Sequence, residues 1–284
     1  MTDVSKLIQY CTKASLYNGP FGDGSPWPAA GMGYVFVTEN RHLIVVDGGH
    51  GADGESFLDL LTEATGGKPV VDLWIITHPH GDHYGAIREI AMRENLRDQI
   101  TVKELWWYFP PEFRDGKGKA PCEGANRHLR EICTALGAVE HKPRIGETVT
   151  VDGLRLDMLF VPTECGEIHN PNSLSLIFTV KSRDKTALIT GDAFADTLGY
   201  CAERYGEALK CDILQLPHHG LCDTGLPAFY RLAGAETLLI PISKAGDRCM
   251  KSGIYGDATA ANLVAEERAT RIHRAFEGTV AVEL

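Results

Sequence analysis

The chain has no Cys-x-x-Cys pair, no apolar run of membrane-spanning length and no surplus of positive charge. Its eight cysteines (Cys11, Cys122, Cys133, Cys165, Cys201, Cys211, Cys222 and Cys249) are scattered. That spacing argues against a disulfide frame or a thiolate zinc site. It suits reduced thiols, so a cytoplasmic location is expected. The longest apolar stretches are strand-sized, well short of the ~20 residues that a membrane span needs. The opening Met1-Thr2-Asp3-Val4-Ser5-Lys6 lacks the basic and apolar regions of a signal peptide. Lysine and arginine number 28 against 38 aspartates and glutamates, a net charge of −10. Such a balance disfavours long nucleic acid and leaves a small molecule or a small phosphodiester as the expected partner. There is no internal repeat, no low-complexity tract and no motif for a serine or cysteine nucleophile.

What is present is concentrated in one stretch. Thr77-His78-Pro79-His80-Gly81-Asp82-His83-Tyr84-Gly85 sets three imidazoles and one carboxylate within six residues. It follows Val70-Val71-Asp72-Leu73-Trp74-Ile75-Ile76, which reads as a buried strand ending at a site. Neutral imidazole nitrogens and a carboxylate oxygen are the usual ligands of zinc and related divalent ions. Pro79 and Gly81 are expected to keep the segment out of a helix, so that the four side chains fan from one loop. An ordinary polar turn would rarely read His-x-His-x-Asp-His by chance, so the stretch is read as a metal site.

Four further elements go with it. His169 opens His169-Asn170-Pro171-Asn172-Ser173-Leu174-Ser175-Leu176. Ala187-Leu188-Ile189-Thr190-Gly191-Asp192 is a short apolar strand ending in an acid, which could also cap a following helix. Asp212-Ile213-Leu214-Gln215-Leu216-Pro217 delivers His218-His219-Gly220, and upstream Leu43-Ile44-Val45-Val46 ends in Asp47-Gly48-Gly49. The gaps are 86 residues from His83 to His169, 23 to Asp192 and 26 to His218. One of His218 and His219 is read as a ligand and the other as a supporting or substrate contact; His218, nearer the strand, is slightly favoured. His42, His50, His128, His141 and His273 are read as ordinary surface or structural residues. Cys222 borders the pattern but is not read as a ligand.

In this order and spacing the five elements resemble the metallo-β-lactamase superfamily. The only departure in the His169 element is Asn172, where that family commonly has Gly. The resemblance implies an α/β layered (αββα) sandwich of the metallo-β-lactamase type, with metals at one edge. His78, His80 and His169 would hold one ion; Asp82, His83 and the last histidine would hold a second; Asp192 would bridge them. The Leu43–Gly49 strand would support the metal loop from below. Two divalent ions are implied, zinc first, with manganese or iron as alternatives. The implied reaction is hydrolysis by a bridging hydroxide, which Asp82 would orient. Because the ligands must converge, residues 1–284 are read as one domain.

The stretch from Gly191-Asp192 to His218-His219-Gly220 resembles, more narrowly, the hydrolase domain of DNA-internalisation (competence) proteins. Tyr255-Gly256 and Glu277-Gly278-Thr279-Val280-Ala281-Val282 are similar as well. Leu221 stands where those proteins have Ser, and Asp257-Ala258 where they have His-Pro. This resemblance ranks a phosphodiester substrate first and a lactone, lactam or thioester next. Iron-dependent redox chemistry on the same fold ranks third, because oxygen-reducing relatives place Glu where this chain has His80.

Strands are expected at 33–38, 43–47, 70–77, 100–107, 154–160, 173–180, 186–190, 212–217, 237–242 and 279–283, and helices at 54–64, 85–95, 126–136, 197–208, 227–234 and 258–268. Arg268, Arg271 and Arg274 are read as a solvated helix face. Phe21, Trp27 and Met32 in the 17–33 loop, and Trp106, Trp107, Tyr108 and Phe109, stand either as pocket walls or as caps on the core.

Overall fold

The structure, a computed structural model, describes residues 4–19, 30–163, 168, 170–221, 226–252 and 265–284. In chain order its strands are β1 (Lys6–Gln9), β2 (Gly33–Val37), β3 (Leu43–Asp47), β4 (Val70–Ile75), β5 (Thr101–Trp106), β6 (Val139–His141), β7 (Thr148–Val151), β8 (Leu154–Phe160), β9 (Ile177–Lys181), β10 (Thr186–Ile189), β11 (Ile213–Gln215), β12 (Thr237–Ile240), β13 (Arg271–Arg274) and β14 (Val280–Glu283). The α-helices are α1 (Gly54–Thr65), α2 (Gly81–Met92), α3 (Glu94–Arg97), α4 (Pro121–Leu136), α5 (Ala195–Tyr205), α6 (Pro227–Ala233) and α7 (Lys244–Ser252).

The strands form two seven-stranded sheets, ordered β14-β1-β2-β3-β4-β5-β6 and β13-β12-β11-β10-β9-β8-β7. Side-chain alternation explains the layering, because successive residues of a strand face opposite sides. In β2, Tyr34 and Phe36 point into the core between the sheets, while Val35 and Val37 pack outward beneath α1, α2 and α4. In β10, Ala187 and Ile189 face the same inter-sheet core, while Leu188 packs outward with Leu198 of α5 and Phe229 of α6. Central strands such as β2, β3 and β12 are apolar and buried on both faces, as strands covered by helices must be. The result is the expected αββα sandwich.

Parallel pairing places the functional ends together. Strands β3, β4 and β5 run parallel, and so do β10, β11 and β12. Their carboxyl ends deliver Asp47, the 77–83 loop, Asp192 and the His218-His219 turn. No helix among the described residues is long and apolar enough to cross a membrane.

Several expectations need correction. The 77–83 segment is not a loop throughout, because α2 begins at Gly81 and carries Asp82 and His83 in its first turn. Residues 171–174 form a 3-10 turn, so β9 starts only at Ile177. Arg271 and Arg274 belong to a strand, and Arg274 is held by Asp247 and Glu266 at 2.8 Å each, not by solvent. Most of the expected 258–268 helix lies outside the described residues.

Candidate metal centre

His80 is the N-cap of α2, in extended backbone (φ −95°, ψ 147°), and the chain turns helical immediately after it. This break sends His78 and His80 from the strand side and Asp82 and His83 from the helix side toward one point. Asp82 lies in the first turn, where the positive end of the helix dipole favours a carboxylate. Gly85 lets the helix approach its neighbour: a Cβ there would lie 2.5 Å from Gly51 N and 2.7 Å from the His50 carbonyl carbon.

Asp82, His83, Asp192 and His219 form a cluster whose potential ligand atoms all lie within 4.8 Å of one another. His83 Nε2 is 3.6 Å from Asp82 Oδ2 and 3.4 Å from Asp192 Oδ2. His219 Nε2 is 3.4 Å from Asp82 Oδ2 and 3.3 Å from Asp192 Oδ2. On the other side of Asp192, its Oδ2 is 3.5 Å from His78 Nε2, which in turn is 3.2 Å from His80 Nδ1. Asp192 therefore stands between the His78–His80 pair and the His83–His219 pair. His169, the remaining expected ligand, lies outside the described residues, as do Cys222, Phe21 and Trp27.

The outer nitrogens of the imidazoles are tied down. His83 Nδ1 is 2.8 Å from Asp47 Oδ2, and the same carboxylate accepts from Thr77 N at 2.8 Å and Thr77 Oγ1 at 2.7 Å. His219 Nδ1 donates to the Pro241 carbonyl at 2.8 Å. The Asp192 N–H donates to Ser175 Oγ at 2.9 Å. Each tie turns Nε2 or a carboxylate oxygen inward, the usual supporting arrangement around a bound ion.

The inward atoms lack hydrogen-bond partners. His83 Nε2, His219 Nε2 and Asp192 Oδ1 are three of the five buried side-chain polar atoms left without one among the described residues. Buried polar atoms are ordinarily satisfied, so this concentration points to a group that the cluster is built to receive. Two carboxylates and several imidazoles are a donor set suited to zinc, iron or manganese and do not discriminate among them.

Electrostatics agree. Burial opposes charge on His219, but Asp192 and Asp82 outweigh it and raise the imidazole to about 10. His83 is raised well above the usual range in the same way, burial being outweighed by Asp192, Asp47 and Asp82. Burial would raise Asp82 and Asp192, yet the neighbouring imidazoles hold both below the usual carboxylate range. His78 and His80 go down, chiefly through burial. Without an ion, two protonated imidazoles thus offset two carboxylates, the charge that one divalent ion would bring.

His219, not the slightly favoured His218, faces this cluster. His218 Nε2 is instead 3.1 Å from Asn172 Nδ2, and its ring lies 5.0 Å from that of Phe194. Both residues have left-handed backbone (φ 46° and 55°), a sharp turn that aims the two rings apart. Asp192 is not a helix cap, because Phe194 occupies that position before α5. Trp106 and Trp107 are core residues, 3% and 2% exposed, and Trp107 Nε1 donates to Asn126 Oδ1 at 3.0 Å. Sequence reasoning missed the Ser175 hydroxyl and the Pro241 carbonyl. A backbone acceptor 22 residues away in sequence leaves no residue-type signal.

The arrangement can be set beside known proteins. A solved metallo-β-lactamase fold protein, YhfI from Bacillus subtilis, is 14% identical over 98% of this chain and 100% of its own, with a TM-score of 0.56. A metal-dependent hydrolase of the β-lactamase superfamily is 13% identical over 98% and 99%, with a TM-score of 0.53. CmlA, a diiron β-hydroxylase from Streptomyces venezuelae, is 12% identical, and the match covers 98% of this chain but 54% of CmlA, with a TM-score of 0.56. At these identities the likeness is one of fold. No curated protein matches the chain. The sequence profile of the metallo-β-lactamase superfamily matches residues 30–241, and the chain belongs to that superfamily.

Proposed function

We propose that the chain is a dinuclear metal-dependent hydrolase acting on a phosphodiester. One observation carries the metal-centre reading: among the described residues His83 Nε2, His219 Nε2 and Asp192 Oδ1 are buried without hydrogen-bond partners, while the other side-chain nitrogens of the two histidines and the Asp192 N–H are tied down. His78, His80, His169 and Asp192 would hold one ion, and Asp82, His83, Asp192 and His219 the other. When bound, such ions make water acidic enough to attack near neutral pH and polarise the bond under attack.

The chain's own residues supply the rest. Asp47 and the Pro241 carbonyl fix the two imidazoles, so the site needs little rearrangement. Asp82 is the least buried of the four clustered residues, its side chain 12% exposed, and its carboxylate can accept a hydrogen bond from the attacking water. The phosphodiester preference rests on the resemblance of Gly191-Asp192 and His218-His219-Gly220 to DNA-internalisation proteins, and the charge of −10 favours small esters over long strands.

Two measurements test this. Elemental analysis of freshly purified, unchelated protein should find close to two ions per chain, and only trace metal would refute the reading. A panel of bis(p-nitrophenyl) phosphate, a cyclic nucleotide, a homoserine lactone, a cephalosporin and an acyl-glutathione thioester should then be run with zinc, manganese and iron. Phosphodiester turnover is expected to dominate; lactone or thioester turnover tenfold higher would replace the substrate assignment. Oxygen consumption with iron and no hydrolysis would favour chemistry like that of the diiron β-hydroxylase. Asp82→Ala should lower turnover by at least ~10³.

A further inference from the structure

Tyr84, Arg88 and Met92 recur every fourth residue of α2 and so line one stripe of that helix, leading away from the metal cluster. Arg88 is five residues beyond His83, about 7.5 Å along the axis at ~1.5 Å per residue. Helix α4 packs alongside and brings His128 Nδ1 to 3.2 Å from the Tyr84 hydroxyl. Arg88 and Arg127 both bear electrostatically on Tyr84 and on His128. Neither guanidinium has a carboxylate within ion-pair distance among the described residues, whereas Arg93, Arg114, Arg130, Arg155 and Arg274 all do. Arg144, Arg231 and Arg271 also lack an ion pair among the described residues; what sets Arg88 and Arg127 apart is that both bear on the one Tyr84–His128 pair. The opposing charge nearby is Glu131, which also faces His128. Beyond the arginines the stripe opens into a groove of about 500 Å³ lined by Met92, Arg127, Arg130, Glu131, Thr134 and Ala135.

We propose that this stripe is a second anion subsite, in which Arg88 and Arg127 hold a further phosphate of an extended phosphodiester substrate and His128 Nε2 donates to it. In this assignment the Tyr84 hydroxyl donates to His128 Nδ1, which leaves the imidazole proton on Nε2 for the ligand. Guanidinium groups suit phosphate through paired donors. The apolar stems of the groove, with Met92 46% exposed, would receive the organic group that follows. The assignment rests on the phosphodiester reading only for the identity of the ligand.

Binding, not turnover, is therefore the test. A fluorescein-labelled phosphorothioate tetrathymidylate should be titrated into the purified protein across a range of salt. Arg88→Gln and Arg127→Gln should each weaken binding by about tenfold and reduce the salt slope by about 0.7. Arg88→Lys should restore part of the loss, and Arg93→Gln, at the C-cap of α2 where Arg93 is paired with Glu55 and Glu89, should change nothing. Saturating ligand should raise the His128 pKa measured by NMR, because burial and the two arginines depress it in the free protein. Unchanged affinity in both glutamine variants, equal loss in Arg93→Gln or an unmoved His128 titration would each overturn the assignment. Should no phosphodiester be hydrolysed while binding behaves as expected, the hydrolase reading fails and this subsite stands.

Discussion

Asp47 shows how much one buried carboxylate can organise. Its backbone is left-handed (φ 55°), a region that Asp and Asn tolerate better than other side chains. From there it accepts from Thr77 and orients His83. Asp47→Asn keeps the backbone preference and one acceptor but removes the charge behind His83. Metal affinity, measured by chelator competition, should fall 10–100-fold, roughly the usual effect of losing such a support. Unchanged affinity would reduce Asp47 to a loop tie. The sequence pointed to Asp47 through the resemblance of Leu43–Gly49 to the superfamily's supporting strand. It slightly favoured His218 where His219 faces the cluster, because that choice depends on two successive left-handed residues and on the Pro241 carbonyl.

The same residues make a pH prediction. A raised folded pKa, as at His219 (about 10) and His83, contributes stability that is full below the unfolded value and fades as pH rises toward the folded one. The lowered Asp82 and Asp192 contribute fully above the unfolded carboxylate value and less below it. Chelated protein should therefore melt highest near the upper end of the window between about pH 4 and 6.5, the unfolded values of the two groups, because the lowered His78 and His80 cost stability as pH falls below the unfolded imidazole value. A melting temperature that climbs from about pH 6.5 to 10 would contradict this. Ion uptake must displace the same protons, so calorimetric titration near pH 7 should show net proton release that scales with buffer ionisation enthalpy.

At the scale of elements, α2 matters most, and Gly85 sets how closely it seats. Gly85→Ala drives a methyl into the backbone of Gly51 and His50, where no side chain can move aside. It should cost about 1–3 kcal/mol or more in denaturant unfolding, like other overpacked sites. Gly81→Ala, with nothing within 4 Å of the added methyl, should leave stability close to that of the parent. Equal effects of the two changes would show that α2 is not seated by this contact. The strands β2, β3 and β4 were readable because burial on both faces writes nearly continuous apolar runs, and β8 because buried Leu154, Leu156, Met158 and Phe160 alternate with less buried residues. Strands β1, β6, β7 and β13 were not, being three or four residues long and partly polar toward the sheet margins. Helix α2 was expected four residues late, because His80, Gly81 and Asp82 look like loop residues until the cap is seen. The helix α7, Lys244-Ala245-Gly246-Asp247-Arg248-Cys249-Met250-Lys251-Ser252, was missed because it is short and strongly polar and its buried face includes Gly246 and Asp247, which do not look like core residues.

At the scale of the molecule, the cluster draws on both sheets: Asp82 and His83 follow β4, while Asp192 and His219 follow β10 and β11. Ions seated there brace one sheet against the other at an edge that the apolar core does not reach. Removing metal should lower the melting temperature, and the shift should grow with free ion concentration over its dissociation constant. His83→Ala should abolish most of that response, and an undiminished shift in that variant would place the stabilising ion elsewhere. The bracing also bears on time as well as on equilibrium. His83 and His219 are 136 residues apart in the chain, so the cluster cannot exist until both sheets have formed and docked. If that docking follows the folding barrier, a bound ion would stabilise the native state without stabilising the transition state. Metal should leave the refolding rate untouched and slow unfolding, so that loaded protein differs from chelated protein chiefly in how long each folded molecule lasts.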